Sequence, residues 1–135
     1  MSEIHDFVNK LMNSDFIDGY DAKVQLVRNL CSCFKELHGI DDELALISIL
    51  SIILKRTMPE PDEDVNALSS EIKKQQFRIK NKKLHDCLKD WQNVLFDAGV
   101  PQLMFEFIDI HEDQFLASKA VSLVNLMIAR PTETQ

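Results

Sequence analysis

Ala98-Gly99-Val100-Pro101-Gln102-Leu103-Met104 opens the stretch that decides the fold, and Ala117-Ser118-Lys119-Ala120-Val121-Ser122-Leu123-Val124-Asn125-Leu126-Met127 closes it. Gly99 can end one helix in the left-handed conformation that side-chain-bearing residues avoid. Pro101 then falls at the start of the next helix, where a missing N–H costs nothing. Leu103, Met104, Phe107 and Ile108 follow at helical spacing. Phe115, Leu116, Ala120, Leu123, Val124 and Met127 repeat that spacing. Helices punctuated this closely bury their apolar sides against neighbouring helices rather than around a cleft. The expectation is an interaction module, not an enzyme.

Working toward the N-terminus, Leu84, Cys87, Leu88, Trp91, Val94 and Leu95 mark a helix that ends at Gly99. Leu44 to Leu54 is apolar around most of its circumference, interrupted only by Ser48 and Ser51. A helix of that kind is a buried one and should be the central pillar. Asp41 is its expected cap, with Ile40 just outside, and Pro59 and Pro61 stop it. Ala22 to His38 carries the stripe Val24, Val27, Leu30, Cys31, Phe34 and Leu37, with Asp21 as its cap and Gly39 as its end. Ile4, Phe7, Val8, Leu11 and Met12 make a short amphipathic helix over Glu3 to Met12. No segment alternates with a period of two, so an all-α fold of about 5–7 helices is expected, with essentially no sheet. The expected core is Leu30, Phe34, Leu46, Ile49, Leu50, Ile53, Leu88, Trp91, Leu95, Leu103, Phe107, Leu123 and Met127.

At 135 residues the chain suits one domain. If globular, it can bury about two-thirds of its unfolded surface. With 3 Gly and 4 Pro, chain reversals are few and long helices are favoured. The expected organisation is a first helical block over 1–58, a charged loop or insertion over 59–83, a second helical block over 84–130 and a tail over 131–135. Leu37-His38-Gly39-Ile40 and Asp97-Ala98-Gly99-Val100 read as the same punctuation used twice. The 59–83 insertion would explain why their separation exceeds an ordinary helical repeat.

The formal charge of −7 argues against nucleic-acid binding. Its distribution is uneven. Between Ser69 and Lys83 stand Lys73, Lys74, Arg78, Lys80, Lys82 and Lys83 against the single anion Glu71, a net +5 that leaves −12 for the rest. Glu60, Asp62, Glu63 and Asp64 come just before. Runs of this kind are usually solvated loops. Val65 to Lys83 is either a polar helix with a thin contact face or a disordered insertion, because Gln75 and Gln76 sit where its stripe should be densest. The cations could dock an acidic partner or anionic headgroups by charge attraction. Phe77 alone makes no stacking platform for single strands.

Catalytic and metal constellations have no trace in the pattern. Cys31 and Cys33 lie about 200° apart on a helix and cannot chelate one zinc together. His5, His38, His85 and His111 have no histidine partner three or four residues away, and His111-Glu112-Asp113 reads as a surface group. Glu60, Asp62, Asp64 and Glu71 imitate a calcium loop, but Val65 replaces the turn glycine and Pro61 interrupts the start. No cofactor and no metal are expected. Three cysteines with no signal-peptide pattern fit reduced thiols in the cytosol. The longest apolar run is too short to span a bilayer, which takes about 20 residues.

Residues Ala98 to Met127 resemble an armadillo repeat. Gly99, Val100, Pro101, Leu103, Phe107, Ile108, Glu112, Asp113, Ala120, Leu123, Asn125 and Leu126 match that pattern in order, although Phe105 and Phe107 are bulkier than its usual aliphatics and Gly39 begins no comparable repeat. The resemblance implies a segment of an armadillo- or HEAT-like α-solenoid. It also implies that Asn125 hydrogen-bonds the backbone of an extended peptide. Across Ala22 to Ile128 the order of elements is similar to the cytosolic regulatory solenoid of the inositol trisphosphate receptor family. Leu44 to Leu54 would precede its variable loop, and Asp97 to Leu103 would open the block after it. That resemblance implies a non-enzymatic scaffold segment that transmits conformational change, at the cytosolic face of the endoplasmic reticulum. Its partners would be adjacent solenoid repeats or another protein within a membrane channel assembly. It would itself have neither the trisphosphate site nor a pore helix. The alternative is a free-standing armadillo-like adaptor that binds an extended peptide. Asn125, Lys73, Lys74, Arg78, Lys80, Lys82 and Lys83 are the candidate partner-binding residues.

Overall fold

The computed structural model describes residues 6, 8–10, 19–37, 39–59 and 70–130, with the side chains of 34–37 excepted. The expected core residue Phe34, the acidic stretch 60–64 and most of the expected helix over Glu3 to Met12 fall outside that description. Five helices have defined bounds: α1 (Tyr20–Leu37), α2 (Ile40–Arg56), α3 (Glu71–Asp97), α4 (Val100–His111) and α5 (Gln114–Ile128). Asp6 and residues 8–10 are also helical, and there is no strand among the described residues. The fold is all-α.

The apolar run of the sequence becomes the pillar. Leu46, Ile47, Ile49, Leu50, Ile53 and Leu54 of α2 are all buried. α5 turns Leu116, Ala120, Leu123 and Met127 inward and packs against both α2 and α4. α3 touches all four other helices, through Leu88, Trp91, Val94 and Leu95 in its second half. α1 covers α2 and α3 with Val24 and Val27. Val8 is fully buried in the same cluster, and Arg56 of α2 donates a hydrogen bond to the Asn9 side chain.

Local chemistry sets the element ends. Gly99 adopts φ 83°, ψ 22°, the left-handed cap that the Ala98-Gly99 punctuation predicts, and Pro101 is the second residue of α4. Glu112 is also left-handed, at φ 49°, and its N–H bonds the Ile108 carbonyl at 3.2 Å. Asp113 then caps α5, accepting from the Leu116 N–H at 2.8 Å. Two residues therefore reverse the chain between α4 and α5, as in a tight helical hairpin. Ser70 caps α3 by accepting from the Lys73 N–H at 3.2 Å. Thr57 ends α2, with its buried hydroxyl donating to the Ile53 and Leu54 carbonyls.

Several expectations need correction. Neither Asp21 nor Asp41 is a cap, because α1 already begins at Tyr20 and α2 at Ile40, so both carboxylates sit within a first turn. There they still favour the helix through its dipole. Gly39 is extended, at φ −100° and ψ 140°, whereas Gly99 is left-handed, so the two punctuations differ in backbone conformation. Leu30 lies at the margin of the core, half-buried, packed against it rather than within it. The basic stretch is helical from Glu71 onward and continuous with the helix through Trp91, in one 27-residue element about 40 Å long.

Candidate functional site

The first half of α3 extends beyond the core. None of its residues before Leu88 is fully buried. Ile72 and Ile79 are 69% and 58% exposed. Lys73, Arg78, Lys80, Lys82 and Lys83 are exposed around them, and Lys74 is half-buried with its Nζ 3.6 Å from Glu71. A shallow groove of about 470 Å³ runs along this half, lined by Gln76, Ile79, Lys80, Lys83, Leu84 and Cys87. The helix thus gathers all six candidate cations on one stem. Cations so spaced repel one another, and the Ser70 cap together with the dipole-favoured Glu71 secures the end they occupy.

Asn125 is exposed near the end of α5, away from those cations. Its neighbour is anchored. The buried Gln92 amide of α3 donates to the carbonyls of Leu126 at 2.9 Å and Ala129 at 2.8 Å. Arg130 donates to the side-chain Oε1 of Gln92 at 2.8 Å. One side chain of α3 therefore satisfies carbonyls that the end of α5 would otherwise leave orphaned. Lys83 lies nine residues earlier on α3, about 13 Å along its axis, so the two candidate surfaces remain separate.

A third surface is the outer side of the α4–α5 hairpin. Phe105 is 61% exposed and Ile128 55%, and Val121 is exposed between half-buried Ala117 and Val124. Pro101, Phe105 and Ile108 follow helical spacing on α4, as do Ala117, Val121, Val124 and Ile128 on α5. α5 packs on α4, and both rows lie off the buried faces of their helices. Phe115 stands on the opposite flank of α5, with the Lys119 ammonium 5.3 Å from its ring centre.

Two polar arrangements between helices were not legible in the sequence. His111, expected at the surface, is instead largely buried, with Nε2 2.6 Å from Oε2 of Glu43. The two atoms are close but off hydrogen-bond alignment, so charge proximity in a dry site joins them when the imidazole is protonated. The last residue of α4 thereby meets the first turn of α2, each at the helix end its charge favours. At the α1–α3 seam, Lys23 reaches Asp90 at 2.6 Å and lies 5.2 Å from the Trp91 ring centre. Tyr20 donates to the Asp97 carboxylate, and Arg28 donates to the Asp97 carbonyl at 3.1 Å. The hydrogen bond to Asp97, then desolvation and the nearby carboxylates, push the Tyr20 phenol up to about 12.

Cys31, Cys33 and Cys87 are free thiols. Burial pushes Cys31 up to about 11 and raises Cys87 as well, which keeps both as weak nucleophiles at neutral pH. Among the described residues no group of three His, Cys, Asp or Glu side chains could hold a metal ion. Glu71 is exposed in the first turn of α3, while Glu60, Asp62 and Asp64 lie outside the described residues, as do His5 and His38. No helix among the described residues is long and apolar enough to cross a membrane. Comparison of the chain with models of protein families, with curated proteins and with solved structures finds no match.

Proposed function

We propose that this chain is a non-enzymatic helical scaffold segment that works through the helix faces it presents to other protein elements. The observation that carries the reading is the outer side of the α4–α5 hairpin. There Phe105, Val121 and Ile128 stand exposed although α2 and α3 offer a well-filled core. We read these exposed apolar side chains as a place where another element docks. In a layered helical array it is the face on which the next layer stacks. The left-handed Gly99, the early Pro101 and the short α4 followed by a longer α5 support an armadillo-like layer over Ala98 to Met127. The order of elements in the sequence supports the narrower reading of a segment that passes conformational change along a calcium-release channel's regulatory solenoid. The exposure of Asn125 keeps the peptide-binding adaptor as the alternative.

The test is affinity isolation from the source organism with the native chain and with a Phe105→Ser/Val121→Ser variant. A protein retained by the native chain and lost from the variant supports docking on this face. Equal recovery by both overturns it. For the adaptor, Asn125→Ala should weaken peptide binding while leaving the fold intact, and unchanged affinity rejects that role.

A further inference from the structure

One stripe of α3 changes character along its length. Asp90 and Asp97 are seven residues apart and lie on one side of the helix, where α1 docks with Lys23, Arg28 and Tyr20. Traced back toward the N-terminus at helical spacing, the same side passes through Lys83, Ile79, Gln76 and Ile72. Over the second half the stripe is acidic and is answered by a helix bearing cations. Over the first half it is apolar at Ile72 and Ile79, basic at its flanks, and exposed.

We infer that the first half of α3 binds an acidic amphipathic helix. Its partner would lay apolar residues over Ile72 and Ile79 and set carboxylates against the flanking cations. With the two isoleucines seven residues apart, they occupy equivalent positions of a heptad. In that register Lys73 and Lys80 fall on one edge of the seam and Lys82 on the other, where a partner's charges decide pairing. A second copy of this chain is a poor occupant, because its identical cations would face these ones. A lipid surface is also a poor one, because two exposed isoleucines are far less than the broad apolar face that interfacial helices bury. The inference rests on the reading of the chain as an interaction module, but not on the α4–α5 face.

The test uses the full chain and a labelled synthetic peptide of about three heptads, with leucine at the seam positions and glutamate at both edges. A shuffled peptide of the same composition and vesicles rich in phosphatidylserine serve as controls. Saturable binding by fluorescence anisotropy at low salt, with a gain of helical circular dichroism, is expected for the heptad peptide alone. Ile72→Ser/Ile79→Ser and Lys80→Glu/Lys82→Glu should each weaken it by about tenfold or more, a change of about 1.4 kcal/mol. Ile72, Ile79 and Lys82 are exposed, so the isoleucine variant and Lys82→Glu should keep the native melting curve. Lys82→Glu alone should give a smaller loss in the same direction. Phe105→Ser/Val121→Ser should leave peptide binding intact, which separates this inference from the proposed function. Equal binding of the shuffled peptide, an unchanged affinity in the isoleucine variant, no binding at all, or binding of vesicles but not of the peptide would each overturn it.

Discussion

Glu43 and His111 stand 68 positions apart in the sequence, and nothing in their surroundings announces that they meet. Each sits beside other charged residues in a turn-like context, which reads as surface. Only the tertiary fold, which sets the last residue of α4 against the first turn of α2, brings Nε2 to 2.6 Å from Oε2 and shields both from water. Leaving a polar group alone in a dry site costs about 1–3 kcal/mol, and more if it is charged, whereas an apolar pair of similar volume can be neutral. Glu43→Leu and His111→Leu should therefore each destabilise strongly. The double variant should recover much of the loss, and a double-mutant cycle by urea unfolding at neutral pH measures the coupling. Tyr20 offers a second check, since it is the only tyrosine in the chain. With its phenol pushed up to about 12, a spectrophotometric titration should show one late midpoint, and Asp97→Asn should move it back toward the ordinary value near 10. The sign follows. The unfolded chain loses the phenolic proton near pH 10, the folded one keeps it to about 12, so this contribution is whole below 10 and is lost as pH rises between the two.

At the scale of elements, what was legible depended on whether a helix is covered. The run from Leu44 to Leu54 announced a buried pillar because water is excluded on nearly every side of it, and its side chains had to follow. Gly99 and Pro101 announced a helix junction because few other residues fit those backbone positions. Gly99→Ala tests this directly. An added Cβ would meet only the Gln102 Oε1 at 3.9 Å, so the cost comes from φ 83° alone, about 1–2 kcal/mol by thermal unfolding. The first half of α3 was ambiguous for the opposite reason. A stem that packs against little needs no apolar stripe, and Gln75 and Gln76 could stand in its middle without penalty. α1 and α2 start two residues before the positions that caps at Asp21 and Asp41 imply, because an aspartate favours a first turn as readily as a cap. The Gln92 clasp on α5 had no local signal at all, since a buried glutamine is placed by the element it reaches.

For the whole molecule, an apolar pillar surrounded by amphipathic helices was enough to fix the class as all-α, while the arrangement of layers was not written in any periodicity. Which helices touch depends on crossing angles that side chains set only once they interdigitate. The core is concentrated on α2, α5 and the second half of α3. Leu50→Ala, at its fully buried centre, should cost about 2–5 kcal/mol in denaturant unfolding, with the slope against denaturant unchanged. The candidate surfaces were legible to different degrees. The six cations were visible as a cluster of charge and Asn125 through a resemblance. The exposed Phe105, Val121 and Ile128 fall outside the apolar stripes of α4 and α5, and nothing in the sequence pattern marks them as a surface.

The stem of α3 sets two tiers of protection within a single helix. Its first turns bury no side chain and can open by fraying, whereas the turns around Leu88 to Leu95 can release their amide protons only when the core itself comes apart. Hydrogen exchange should therefore fall along α3 from fast at Ile72 to globally limited at Val94, with the step near Cys87. A bound acidic helix would erase that step. The slow end of α3 would stay as it was, and the fast end would join it.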